Sequence, residues 1–222
     1  MDRLLQKISF FLLLFSSLIG QEIHVIYTSA QIPKNFDLRK REYIENLNQL
    51  RSFGFDPWII EATNTNSSFF DSLSTKVLYP QRHNDALRNK GVNEIMSMRA
   101  SLPYLPFQDD DIVIKITGRY LLKNRLFIDM VKATASTYDA WGVFGKHFTK
   151  EPDLFTGCFA MRWKHLKKII EEMDLEAAER DYIAIEILFG DFLRNEHLRV
   201  DKLRNLYVRA RIFICEDNYY EF

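Results

Sequence analysis

Asp109-Asp110-Asp111-Ile112-Val113-Ile114-Lys115-Ile116-Thr117-Gly118-Arg119-Tyr120 is the stretch whose reading decides the fold. Its middle is β-branched at Ile112, Val113, Ile114 and Ile116 and holds no Pro or Gly before Gly118, which predicts a strand. A run this apolar suits a central parallel strand with helices over both faces. Open α/β sheets bind ligands beyond the carboxyl ends of their strands. Lys115, Thr117, Gly118, Arg119 and Tyr120 therefore form the expected site. Gly118 lets the backbone turn and come close to a ligand, and Arg119 offers a planar fork matched to phosphate oxygens. Asp109, Asp110 and Asp111 resemble ligands for a hard cation, but they precede the strand and so belong to the opposite edge of the sheet. Pro103 and Pro106 argue against the alternative, a sheet-interior strand over 102–107.

The flanking sequence supplies the rest of a layered domain. Ile23-His24-Val25-Ile26-Tyr27 reads as a strand ending at Thr28-Ser29-Ala30. Tyr43, Ile44, Leu47, Leu50 and Phe53 form the apolar stripe of a helix over 38–53, closed by Gly54. Trp58-Ile59-Ile60-Glu61 is the next strand, completing a βαβ unit. Thr28, Ser29, Glu61 and Thr63 then join the site edge. Further helices are expected over 84–100, 125–137, 163–173 and 176–194, and further strands over 139–144 and 154–161. Gly91 in Arg88-Asn89-Lys90-Gly91-Val92-Asn93-Glu94 has two readings. A helix start there presents amides and Lys90 to an anion, or Gly91 permits close packing. Glu186 lies among Ile185, Ile187, Leu188 and Phe189, where a carboxylate has either a raised pKa suited to base catalysis or a structural cationic partner. His147, in the loop 146–150, is a base, a ligand or a solvated residue. The tail, 206–221, is an edge strand and lid or a solvated terminus.

Composition narrows the class. The 222 residues carry 47% hydrophobic side chains, 18 Phe and a formal net charge of zero. This fits one α/β domain over 21–222 and gives no broad electrostatic footprint for nucleic acid. Arg3 and Lys7 precede an uncharged run, 8–19, closed by Gly20, which reads as a secretory signal peptide or an uncleaved anchor over 1–20. As a helix the run is about 18 Å long, short of the roughly 30 Å hydrocarbon core. A secreted, periplasmic or lumenal location follows, with the membrane met only through that segment. Cys158 and Cys215 either pair there or stay as thiols, and Asn66-Ser67-Ser68 is a glycosylation sequon.

The order of elements resembles the GT-A type of glycosyltransferase domain over roughly 22–213. The resemblance rests on the first strand with its small polar end, Arg39-Lys40-Arg41-Glu42-Tyr43, the strand ending in Glu61 and Asn89-Lys90-Gly91-Val92-Asn93-Glu94. It extends to Thr156-Gly157-Cys158-Phe159-Ala160 and the helix bearing Glu186. It implies a three-layer α/β/α fold with a mostly parallel central sheet (GT-A or Rossmann-like). The implied activity is sugar transfer from a nucleotide-sugar donor to a glycan or other hydroxyl acceptor. Thr28, Ser29 and Glu61 would then meet the nucleoside, and Lys90, Arg119 and Lys115 the diphosphate. Asn93 and Tyr120 would line the sugar pocket, with Glu186 or Asp181 as base or acceptor clamp. Equally, Lys115 packs its stem in the core with its amine paired. The sequence departs from the family where an Asp-x-Asp normally holds a divalent metal, reading Lys115-Ile116-Thr117-Gly118-Arg119-Tyr120 instead. That implies a metal-independent enzyme, in which basic groups neutralise the leaving diphosphate, or an inactive relative. A third option is Mn2+ or Mg2+ held elsewhere, for example by Asp139 or Asp153. No cofactor is obligatory in this reading. A non-catalytic carbohydrate- or nucleotide-binding module and a nucleotidyltransferase are the rival functions.

Overall fold

The computed structural model describes residues 21–30, 36–63, 65–80, 84, 86–145, 153–210 and 220–221. The leader, His147 and Cys215 lie outside these. In chain order the elements are β1 (Ile23–Ala30), α1 (Phe36–Ser52), β2 (Trp58–Ala62), a 3-10 turn at Phe69–Ser72, β3 (Val77–Leu78), α2 (Lys90–Ser101) and a second 3-10 turn at Leu102–Tyr104. There follow β4 (Ile112–Thr117), β5 (Tyr120–Leu122), α3 (Leu126–Ala133), β6 (Ala140–Gly145), β7 (Asp153–Leu154) and β8 (Cys158–Arg162). The chain continues with α4 (Trp163–Glu172), α5 (Leu175–Arg180), α6 (Ile185–Asn195), β9 (Val200–Leu203), β10 (Val208–Ala210) and β11 (Tyr220–Glu221).

The main sheet runs β3-β2-β1-β4-β8-β6-β7, with β9 on β6. β3, β2, β1 and β4 are mutually parallel, and the apolar β4 stretch sits centrally, as its composition requires. β8 enters antiparallel to both β4 and β6, so the sheet is mixed beyond β4. A small second sheet joins β5, β10 and β11, which gives the tail an edge pairing with β5 and not with the main sheet.

Strand alternation divides the core into two faces. Val25, Tyr27, Ile59, Ile112, Ile114 and Ile116 pack under α1 through Tyr43, Leu47 and Leu50. Ile26, Ile60, Val113, Phe159 and Met161 pack on the other face, against Ile95 and Met98 of α2, Leu166 of α4 and Phe189 of α6. Helices thus cover both sides, the three-layer α/β/α arrangement.

Four expected elements differ, the first being the helix over 125–137, which stops at Ala133 with turns over 134–137. The helix expected over 84–100 begins only at Lys90, because the Asn89 side chain caps it by accepting from the Gly91 amide. The strand expected over 154–161 divides into β7 and β8 around a turn at Thr156-Gly157, where a Cβ on Gly157 would lie 2.7 Å from the Tyr120 ring. The single helix expected over 176–194 is two, α5 and α6. Tyr182 breaks it with φ 52°, a left-handed backbone that an α-helix cannot contain. Asp181 and Glu186 therefore do not share one helix.

Candidate functional site

The parallel strands bring the ends of β1, β2 and β4 to one edge, and antiparallel β8 begins there, with the Thr117 amide donating to the Gly157 carbonyl at 2.9 Å. Thr28, Lys115 and Thr117 lie on the α2 side of this edge, and Ser29 and Glu61 on the α1 side.

On the α2 side the polar groups form one chain. Lys115 is 2% exposed, and its ammonium reaches Glu94 Oε1 at 2.8 Å, Thr117 Oγ1 at 2.7 Å and the Thr156 carbonyl at 2.7 Å. An ammonium carries three donors, and all three are used. Lys115 therefore takes the paired, core-facing position and has no donor left for a diphosphate. Glu94 Oε1 also accepts from the Thr28 hydroxyl and, at 3.0 Å, from the Thr117 hydroxyl. Burial pushes the Glu94 carboxyl up, but Lys115 and these hydroxyls outweigh it and hold the group below its ordinary value. Thr156 continues the chain by donating its hydroxyl to Glu186 Oε1 at 2.7 Å. Glu186 stands in the first turn of α6, where the helix dipole favours a carboxylate.

Glu94 and Thr156 lie outside the site expected from the sequence. A signal for Glu94 existed: a lone lysine in a strand with both faces covered requires an acidic partner, and Glu94 is the one acid in α2.

The other candidates are distributed around this chain. Ser29 donates to the carboxylate of Glu61, which is sealed from solvent, so no nucleoside reaches Glu61 in this arrangement. A Cβ on Gly118 would lie 2.7 Å from Tyr43 Cδ1 and 2.8 Å from the Tyr27 hydroxyl, so the close approach Gly118 permits is to two tyrosines. Its carbonyl accepts from the Tyr27 hydroxyl at 3.1 Å, and Asn46 Nδ2 donates to the Tyr120 carbonyl at 2.7 Å, fastening the β4–β5 turn to α1. Arg119, half-buried beyond β4, exerts its charge on Tyr43 and Tyr120. Burial raises the Tyr120 phenol, against the pull of Arg119, and its ring meets Phe155 edge-on at 5.3 Å.

Lys90, Asn93 and Asp181 lie outside the chain. Lys90 is exposed and donates to the Leu87 carbonyl at 3.2 Å. The amides of Arg88 and Asn89 ahead of α2 donate at 2.8 and 3.0 Å to Glu179, so the anion at this helix start is the protein's own carboxylate. Gly91 packs closely, since a Cβ there would lie 2.9 Å from Ile185 Cγ1. Asn93 is spent on Asn84, taking its amide at 3.1 Å and donating to its carbonyl at 2.8 Å. Asp181 is exposed and paired with Arg180 at 2.9 Å, which holds its carboxyl below the ordinary value.

At the opposite edge Asp111 is buried and accepts from the Glu22 and Gln108 amides and from His24, while Asp110 pairs with Lys164 at 2.9 Å. Asp139 is held by Arg162 and Arg199. Among the described residues no three or more His, Cys, Asp or Glu side chains gather as metal ligands. Cys158 is a buried free thiol pushed up to about 12 by desolvation.

No protein-family model and no curated protein matches this chain. Solved structures do. A Bacillus anthracis protein assigned as a glucose-1-phosphate thymidylyltransferase, in complex with sucrose, superposes with a TM-score of 0.54 at 10% identity, covering 85% of this chain and 89% of its own. A Desulfovibrio desulfuricans protein assigned as a nucleotide-diphospho-sugar transferase gives 0.51 at 12% identity, covering 82% and 80%. The galactosyltransferase LgtC, in complex with donor and acceptor sugar analogs, gives 0.52 at 8% identity, covering 81% and 72%. With its central parallel block and its polar edge at the ends of β1 and β4, this chain has the fold of the nucleotide-diphospho-sugar transferases.

Proposed function

We propose that this protein transfers a sugar from a nucleotide-sugar donor to a hydroxyl acceptor at the carboxyl edge of β1 and β4. The observation that carries the reading is the ordered chain Thr28–Glu94–Lys115–Thr156–Glu186, which occupies the edge where open α/β sheets bind ligands. Arg119, half-buried just beyond β4 and bearing a planar fork matched to phosphate oxygens, is the cation for the diphosphate. Glu186, fixed by Thr156 through one oxygen, is the base for the acceptor hydroxyl. The leader read over 1–20 would set the reaction in a secreted, periplasmic or lumenal space. Among the described residues no helix is long and apolar enough to cross a membrane.

The test is thermal unfolding with UDP, GDP, dTDP and CMP, with and without Mn2+. A nucleotide at a hundred times its Kd stabilises the fold by about 2.7 kcal/mol, roughly 5–11 °C for a domain this size. Arg119→Ala should abolish the shift while the ligand-free protein still unfolds in one cooperative transition. Four inert nucleotides would defeat the proposal, and a shift that survives Arg119→Ala would defeat the placement of the diphosphate. The likeness to a thymidylyltransferase supports a second reading, nucleotidyl transfer. Mg2+-dependent release of pyrophosphate from a nucleoside triphosphate would favour it.

A further inference from the structure

Glu94 is held asymmetrically. Its Oε1 takes the Thr28 and Thr117 hydroxyls and the Lys115 ammonium, while among the described residues no donor reaches Oε2. The side chain remains 21% exposed, although Lys115 beneath it is 2% exposed. One oxygen is thus anchored on the last residue of β4 and on the end of β1, and the other is left an unused acceptor on a side chain that keeps partial contact with solvent. Three bonds and a helical backbone fix its direction before any ligand arrives, and such preorganisation lowers the cost of binding.

The chemistry of that oxygen selects its partner. It belongs to a carboxylate kept ionised by Lys115, so it accepts hydrogen bonds and donates none. A phosphate oxygen would be repelled, whereas a hydroxyl would form a charge-assisted bond. We propose that Glu94 Oε2 is a specificity-determining acceptor for a ring hydroxyl of the donor's sugar. The assignment rests on the nucleotide-sugar reading above and places the sugar over α2, with the diphosphate towards Arg119.

The test uses the full chain and three matched pairs: UDP and UDP-glucose, GDP and GDP-mannose, dTDP and dTDP-glucose. The quantity read is the gain in affinity from the sugar, the ratio of the two Kd values within a pair. Glu94→Gln is the variant, because its carbonyl oxygen can keep the place of Oε1 while its amide replaces the Oε2 acceptor by a donor. For the pair that binds, the wild-type gain should fall about ten- to hundredfold in Glu94→Gln, the range for a hydrogen bond to a charged group, with the diphosphate's own Kd unchanged. A gain unchanged in the variant, or absent in the wild type, overturns the assignment and leaves the nucleotide reading standing. Failure of all three diphosphates to bind the wild type overturns the assignment, and CMP inert as well takes down the nucleotide reading with it. Should Glu94→Gln not fold, the wild type with deoxyfluoro analogues of the sugar decides the matter. Fluorine for hydroxyl at one ring position should cost at least about tenfold in Kd, and a series flat at every position overturns the assignment.

Discussion

Replacing Lys115 by methionine removes a buried cation while nearly preserving the volume of its stem. In the wild type the ammonium makes three bonds of 2.7–2.8 Å, one of them to Glu94. The variant strands the carboxylate and leaves the Thr156 carbonyl without its donor. Breaking a buried ion pair from one side costs about 3–5 kcal/mol. Glu94 keeps 21% of its side chain in contact with water, so the low end applies, roughly 3 kcal/mol. For a chain of this length that lowers the thermal midpoint by roughly 6–12 °C. Urea unfolding followed by tryptophan fluorescence measures it, since Trp141 and Trp163 are buried on the two faces of the sheet. The double variant Lys115→Met with Glu94→Gln no longer strands a charge and should recover about half of the loss. Acid supplies a second check. Glu94 titrates below its ordinary 4.5 in the folded state. Its pairing therefore contributes fully above 4.5 and fades as pH falls through the lower folded value, so the wild type's advantage over Lys115→Met narrows there. A Lys115→Met protein within about 1 kcal/mol of wild type, or a double variant no better than the single one, would refute the reasoning.

Other variants probe the rest of the framework. Gly118→Ala places a methyl 2.7 Å from Tyr43 and should cost about 1–3 kcal/mol in urea unfolding; an unchanged midpoint would show that the tyrosines yield freely. Asp139, held by Arg162 and Arg199, has its carboxyl lowered from 3.8 to about 2. It should contribute about 2 kcal/mol above pH 3.8, lost as pH falls through about 2. Urea midpoints across that interval should fall for wild type and stay flatter for Asp139→Asn. In a Cys215→Ser background, Cys158 should resist a disulfide reagent at pH 8 until urea unfolds the chain, because its thiol is buried and titrates near 12.

Much of the scaffold was legible because local and global preferences agree. The β-branched run ending at Thr117, the stripe from Tyr43 to Leu50 and the alternation of strand and helix each permit one placement in a parallel sheet. Strand polarity, with Pro103 and Pro106 against a strand over 102–107, puts the acidic run at the far edge, and Asp111 accepts there from the Glu22 amide just ahead of β1. Legibility ended where long-range contacts decide. Nothing local to Cys158–Arg162 reveals an antiparallel neighbour. The break at Tyr182 has no Gly or Pro beside it to announce it, since Gly190 lies further on, inside α6. At the site, the identity of Lys115 suggested phosphate, yet its three acceptors come from residues 94, 117 and 156. Two of these are more than twenty positions away, and only the folded chain brings them together. Gly118 shows the same limit, since sequence marks a close approach without naming what approaches.

The placement of β1 and β10 gives the chain an uneven response to tension. β1 lies between β2 and β4 with parallel bonding on both sides. A pull directed along it loads those rungs together in shear. β10 is held to β5 through only a short antiparallel ladder. A molecule stretched between Gln21 and Glu221 would yield first by peeling the small sheet, while the β1–β4 edge kept its shape until a higher force.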